Sequence, residues 1–209
     1  MFNIPPRELK RKLFHLLSLG FAALYWFFPV WVVLAALITL FVMAAATEIA
    51  RAKSKKFNDL IKTVFGGIMR DEEDKHTAGV IWTIAGAIIA ITLFDPTIDL
   101  FQGLFADIDC RRCVMMCFFY LALGDSAAAI FGMAFGKHKI YCGKSLEGTL
   151  ACFTVCLIAG LFILPMWQAA LFGAAFAAFA ETLPWPLSDN LWMQPLDAGM
   201  LVLFFKLFG

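Results

Sequence analysis

Asp125 is the only charged residue between Cys113 and Phe135, and most of the residues that follow it are small. On a helix, Asp125, Ala128, Ala129, Gly132 and Gly136 recur at steps of three or four and share one face. A carboxylate flanked by Gly124 and Ser126 then heads a smooth track that a ligand or another backbone can approach closely. A carboxylate in a membrane span is costly and marks a functional site by default. The Gly132-x-x-x-Gly136 spacing also serves plain helix packing, within one chain or between copies in a homo-oligomer. Packing accounts for the glycines but not for Asp125.

The next stretch, from Lys137 to Thr149, is short, basic and punctuated by glycine, and it opens another apolar run. Free amides at a helix N-terminus attract phosphate. Lys144 adds a point charge and Ser145 a hydroxyl. Glu147 together with Asp125 could hold Mg²⁺, which takes one or two carboxylates plus phosphate oxygens. The bland alternative is a solvated basic loop with Ser145 as a helix cap. The Gly143-Lys144-Ser145 run invites comparison with a P-loop. That pattern fails, because His138 stands where its first glycine belongs and no strand precedes it.

Two more clusters are polar at the ends of apolar runs. Glu181 closes one run and leads into Thr182-Leu183-Pro184-Trp185-Pro186-Leu187-Ser188-Asp189-Asn190, with Pro195 beyond. A polar turn, with Ser188 or Asp189 capping the last helix, explains part of this, but it leaves Glu181 unexplained. Arg11 and Lys12 enter the first run, where snorkelling at a membrane surface is the plain reading. His15 lies one turn deeper.

These residues need helices to hold them. The chain has 209 residues, 62% hydrophobic and 16% charged, with 23 Phe. Its mean hydropathy is +0.81. Soluble domains are nearer about half apolar and a quarter charged. A net charge of +1 gives no case for nucleic acid as a partner. A crossing takes roughly 20 apolar helical residues. Seven spans are predicted, at about 13–28, 30–49, 79–95, 113–135, 149–164, 166–182 and 191–208. Pro29, Pro165 and Pro184–Pro186 set boundaries between them. The spans 149–164 and 166–182 are joined so closely that they should form a tight hairpin. No cleavage site follows the first run, so a retained first span is expected. Residues 54–69 place Phe57, Leu60, Ile61, Val64, Phe65 and Ile68 opposite a basic and polar face, which predicts a helix lying in the interface. The expected fold is all-α: a polytopic transmembrane helix bundle of about seven spans with one amphipathic interfacial helix, in a single domain over residues 1–209.

Loop charges give an orientation. Arg7, Lys10, Arg11 and Lys12 precede the first span. Arg51, Lys53, Lys55, Lys56, Lys62, Arg70 and Lys75 lie in the loop 51–78, and Lys137, Lys139 and Lys144 in the loop 136–148. The intervening loop 96–112 carries Asp99, Asp107 and Asp109, offset by Arg111 and Arg112. The expectation is an integral membrane protein with its N-terminus, the loops 51–78, 136–148 and 183–190, and the active site on the cytoplasmic side. Six cysteines do not form a disulfide framework here. Cys152 and Cys156 sit in an apolar helix, and Cys110-x-x-Cys113 lacks the second pair that zinc would want.

Read together, Asp125, Ala128, Gly132, Gly136, then Lys144, Ser145, Glu147 and Gly148 resemble the nucleotide motif of the CTP-dependent lipid kinase family. That motif runs D-x-x-A-x-x-x-G-x-x-x-G, a short basic stretch, then K-[ST]-x-E-G. Arg11, Lys12 and His15 are similar to the family's basic pair and histidine near the first span. Thr77-Ala78-Gly79 is similar to its opening of a middle span, and Glu181, Asp189, Asn190 and Pro195 to its late E…DN…P element. The sequence departs from the pattern at Gly143, where a second basic residue is usual, and in a spacer after Gly136 about one residue short. The resemblance implies transfer of the γ-phosphate of CTP to the hydroxyl of a membrane lipid alcohol, with Mg²⁺ as cofactor. It implies Asp125, Lys144 and Asp189 in catalysis. Gly124, Ser126, Ala128, Gly132, Gly136, Lys137, Lys144, Ser145, Glu147, Gly148, Arg11 and Lys12 would bind the nucleotide. Asp125, Glu147, Glu181 and Asn190 would attend the metal. A phosphatidate cytidylyltransferase shares part of the motif, but its C-terminal K-D…H-G-G…D-R run is absent. A non-enzymatic transporter would favour repeated halves and midplane sites.

Overall fold

The computed structural model describes residues 4–66, 78–98, 100 and 108–209. Arg70, Lys75, Thr77, Asp99 and Asp107, and the end of the expected amphipathic helix at Ile68 and Met69, lie outside the described residues.

The first apolar run is two helices in line: α1 (Pro6–His15) and α2 (Leu19–Phe27), joined by a 3-10 turn at Leu16–Ser18. Pro6 at the first turn of α1 loses no hydrogen bond, because that N–H would be unpaired anyway. Pro29 then starts α3 (Val30–Lys53), whose apolar flank stays largely open to the surroundings. Ser54 caps α4 (Lys55–Phe65) by accepting a hydrogen bond from the Phe57 amide. None of the residues of α4 is buried, and Leu60, Val64 and Phe65 are exposed, as expected of an interfacial helix.

The remaining helices form the core: α5 (Gly79–Phe94), α6 (Cys110–Phe119), α7 (Ser126–Phe135), α8 (Leu146–Ile163), α9 (Trp167–Thr182) and α10 (Asp189–Phe208). A π-helical segment, Tyr120–Asp125, joins α6 to α7 into one 26-residue helix. That helix is the central post. Its most apolar stretch is 61% buried, against 11% for α3. Two apolar clusters surround it, one built on α8 and α9 and the other on α2, α3 and α5.

The all-α membrane bundle is as expected, and only some of the roughly seven apolar runs form helices of full crossing length. Among the described residues, four helices are long and apolar enough to cross: Val30–Lys53, Cys110–Phe135, Leu146–Ile163 and Asp189–Phe208. The others are cut short. The 3-10 turn interrupts the first, and α5 and α9 have 16 residues each, or roughly 24 Å of helix. The expected hairpin of α8 and α9 is present. Gly160 brings the two helices so close that a Cβ there would lie 2.9 Å from the Ala170 Cβ.

Proline shapes α10. Pro195 lies inside it and cannot donate to the Leu191 carbonyl. Gly86 of α5 presses against that break, where an added Cβ would stand 2.8 Å from both the Asn190 and the Leu191 carbonyl oxygens. The Gln194 amide bridges the pair, donating to the Thr83 carbonyl at 2.8 Å and the Asn190 carbonyl at 3.0 Å. This seam fixes the start of α10, and so Asp189, against the bundle.

Arg111 ties off the opposite end. Its guanidinium donates to the Tyr25 carbonyl at 2.6 Å and to the Phe28 carbonyl at 3.2 Å. Nearby, the Tyr25 hydroxyl donates to Asp95 at 2.6 Å.

Candidate active site

The π-helical segment decides where Asp125 points. Gly124 packs against α8, where a Cβ would meet the Cys156 and Cys152 sulfurs at 2.7 and 3.0 Å. Asp125 is thereby turned toward α1. Its Oδ2 accepts a hydrogen bond from the Lys12 ammonium at 2.5 Å, and His15 Nε2 stands 3.5 Å from the same oxygen. Lys12 is almost wholly buried, with its side chain 5% exposed. A buried ammonium held this way needs its carboxylate, since neither charge is tolerated alone.

A second ion pair faces the first. Lys144 reaches across to the end of α9, where its ammonium donates to Glu181 Oε1 at 2.5 Å and also to the Glu181 carbonyl. Glu181 is buried, and its other oxygen, Oε2, has no hydrogen-bond partner among the described residues. Between the pairs lies a cavity of about 360 Å³ lined by residues from α1, α7, the 136–145 loop and the ends of α8, α9 and α10. Arg11 stands at its edge, anchored through Nη2 to Glu8 at 2.7 Å. Asp189 lines it from the start of α10.

The loop between α7 and α8 is a tight return. The Ile140 amide donates to the Lys144 carbonyl at 2.9 Å, and the Leu146 amide to the His138 carbonyl at 2.9 Å. Cys142 and Gly143 take left-handed backbone angles, φ 53° and 76°, so glycine at 143 is the inexpensive choice there. That requirement gives a reason for the missing second basic residue. Ser145 caps α8, with its hydroxyl accepting from the Gly148 amide at 3.2 Å.

Eleven of the residues expected in the site line one cavity: Arg11, Lys12, Asp125, Ala128, Gly132, Gly136, Lys144, Ser145, Gly148, Glu181 and Asp189. Lys139, Ala129, Met133, Gly143 and Thr149 join them. Five others do not line it: Gly124, Ser126, Lys137, Glu147 and Asn190. Gly124 is spent on packing, and Ser126 is buried with its hydroxyl unpartnered among the described residues. Lys137 is exposed.

The Glu147 carboxylate holds the loop instead of facing Asp125. It accepts from the His138 ring Nδ1 at 2.8 Å and from the His138 amide at 3.3 Å. A pairing of Glu147 with Asp125 around one metal ion is therefore not what the structure brings together. The bare-amide cradle is also altered, because the Leu146 and Gly148 amides already have partners.

The small-residue track is likewise used inside the chain. Gly148 sits against α7, where a Cβ would lie 2.6 Å from the Ala128 carbonyl oxygen and 3.2 Å from the Gly132 Cα. A Cβ on Gly136 would meet the Ser145 hydroxyl at 2.7 Å. The face that suits pairing between copies is thus occupied by the first turn of α8. His15, which is similar to the histidine after the family's basic pair, stands with Lys12 beside Asp125.

Among the described residues, no three His, Cys, Asp or Glu side chains are grouped to hold a metal ion by themselves. The donor set still suits Mg²⁺ completed by phosphate. Asp125 and Glu181 supply hard carboxylate oxygens on one cavity, and Glu181 Oε2 is buried without a partner among the described residues.

Three fungal proteins are similar to most of this chain, and each is a CTP-dependent diacylglycerol kinase 1. That of Saccharomyces cerevisiae is 30% identical over 164 residues, 74% of this chain and 50% of that protein. That of Schizosaccharomyces pombe is 28% identical over 182 residues, 78% of this chain and 77% of that protein. That of Eremothecium gossypii is 30% identical over 165 residues, 75% of this chain and 46% of that protein. The chain thus spans about half the length of the first and third. No family model matches the chain, and no solved structure matches it. Three kinases of one kind are thus matched over most of the length of this chain, and that similarity supports the CTP-dependent lipid kinase family.

Proposed function

We propose that this chain transfers the γ-phosphoryl group of CTP to the hydroxyl of a membrane lipid alcohol, with diacylglycerol as the first acceptor to test. The observation that carries the reading is one cavity holding Lys12, Lys139 and Lys144 together with Asp125, Glu181 and Asp189, at the end of an apolar bundle. Phosphoryl transfer asks mainly for positioning and for neutralisation of phosphate charge. Side-chain cations supply that charge here, since the first amides of α8 are engaged. Mg²⁺, held by Asp125 and Glu181 with phosphate oxygens, would neutralise charge on the phosphoryl group when bound.

In the step itself a bond forms between the lipid oxygen and the γ-phosphorus, and the bond from that phosphorus to the β-bridging oxygen breaks. CDP leaves. The hydroxyl proton passes to a carboxylate, and Asp189 is the one on the cavity without a lysine at 2.5 Å. Lys12 and Lys144 stay beside the phosphates as counter-charges. The lipid meets this wall from the membrane while CTP enters from the aqueous side. The basic residues at the cavity end support a cytoplasmic placement of both the site and the N-terminus.

The test is the purified protein in lipid nanodiscs with CTP labelled at either the γ or the α phosphorus, against a panel of diacylglycerol, polyprenol and phytol. Label from the γ position should reach the lipid. Transfer of α-label with release of pyrophosphate would replace this reading with cytidylyl transfer.

A further inference from the structure

We infer that Lys12 and Lys144 keep divalent cations off the nucleotide-free protein, so that cation and nucleoside triphosphate enter the cavity only together. This rests on the proposed nucleotide reading of the cavity. The two carboxylates best placed for a cation are each occupied by an ammonium at 2.5 Å, Asp125 by Lys12 and Glu181 by Lys144. The charges also balance. Arg11 is matched by Glu8, which leaves Lys12, Lys139 and Lys144 against Asp125, Glu181 and Asp189. A cation arriving alone finds a neutral wall. To reach Asp125 it must push a buried ammonium off its carboxylate, and a buried ammonium parted from its counter-charge is costly.

A triphosphate changes the exchange. Its oxygens offer both lysines new partners of the same sign as the ones they give up. Each carboxylate released then meets the cation that the phosphates carry in. Every buried charge keeps a counter-charge throughout, which neither ligand achieves alone. The binding of the two is therefore positively coupled, and by linkage each tightens the other by the same factor.

The test uses Mn²⁺ as the probe, with free ion measured by electron paramagnetic resonance. The wild-type protein should take up Mn²⁺ poorly alone and at least about tenfold more tightly with a β,γ-methylene analogue of CTP, a coupling of ordinary size. Lys144→Met should gain at least about tenfold in Mn²⁺ affinity without any nucleotide, by the same coupling logic. Lys144 is partly exposed, at 28%, so this variant is the one most able to fold. Lys12→Met tests the other pair. Adding Glu181→Gln to Lys144→Met should abolish the gain.

Tight Mn²⁺ binding to the free wild type, or no gain in either lysine variant, overturns the inference. A gain in Lys144→Met with no analogue binding by any protein would sustain the lysine guard and defeat the nucleotide reading. Analogue binding with an equally tight Mn²⁺ site in the free protein would do the reverse.

Discussion

Asp125 and Asp197 are both buried carboxylates in helices that cross the bundle, yet their surroundings differ completely. Asp125 has Lys12 at 2.5 Å, His15 at 3.5 Å, and a cavity in front of it. Asp197, two turns into α10 from the cavity, is 1% exposed, and neither of its oxygens has a hydrogen-bond partner among the described residues. Both sit where an acid is expensive, but only one has company that could use a ligand. Burial of a carboxylate marks a place worth examining, whereas its partners say what the place can do.

Substitutions can break that contrast. The largest effect is expected for Asp125→Asn, which keeps the shape and removes the charge facing Lys12. Lipid phosphorylation should fall by at least about a hundredfold, the scale seen when one electrostatic stabiliser is lost. Breaking the buried pair should also cost about 3–5 kcal/mol of stability, so activity is compared per amount of folded protein, read by its elution profile. If the variant still phosphorylates lipid fully, Asp125 is no more a site residue than Asp197.

A middle-sized effect is expected from Gly148→Ala. The new Cβ would lie 2.6 Å from the Ala128 carbonyl oxygen, so α7 and α8 must part. Stability should drop by about 1–3 kcal/mol, the usual cost of overpacking, seen as a lower thermal midpoint. An unchanged midpoint would mean that the small-residue track is loose enough to admit a ligand directly.

The smallest effect is expected for Asp197→Leu. Replacing an unpaired buried acid with an apolar group of similar size removes a desolvation cost. Activity should stay within about twofold, in line with a residue that touches no ligand, and the thermal midpoint should rise. A collapse of activity would place Asp197 in the machinery and erase the distinction.

Much of the site was legible because its logic is local. The steps of three and four from Asp125 to Gly136 state a shared helix face without any knowledge of neighbours. Ser145 as the cap of α8 is equally local, and so are the prolines that end the helices. The contacts of Glu147 were not legible, for the opposite reason. Its type and position suit a metal ligand, but the tight return at Cys142 and Gly143 folds His138 onto its carboxylate. Gly124 and Ser126 adjoin Asp125 in the chain, but adjacent residues on a helix point to different sides.

By itself, then, the sequence determined that the chain is helical and membrane-embedded, that Asp125 heads a small-residue face, and which polar clusters gather at one end. These follow from hydrophobic run lengths and from the periodicity of a single helix, both of which are properties of contiguous residues. Only the tertiary structure decided the partners. Lys12 and Asp125 are 113 residues apart, and Lys144 and Glu181 are 37 apart. Which ammonium meets which carboxylate depends on the π-helical turn at Tyr120–Asp125, on the closeness that Gly148 permits, and on the seam that fixes the start of α10. Those are packing outcomes between elements distant in the chain, and no local pattern encodes them.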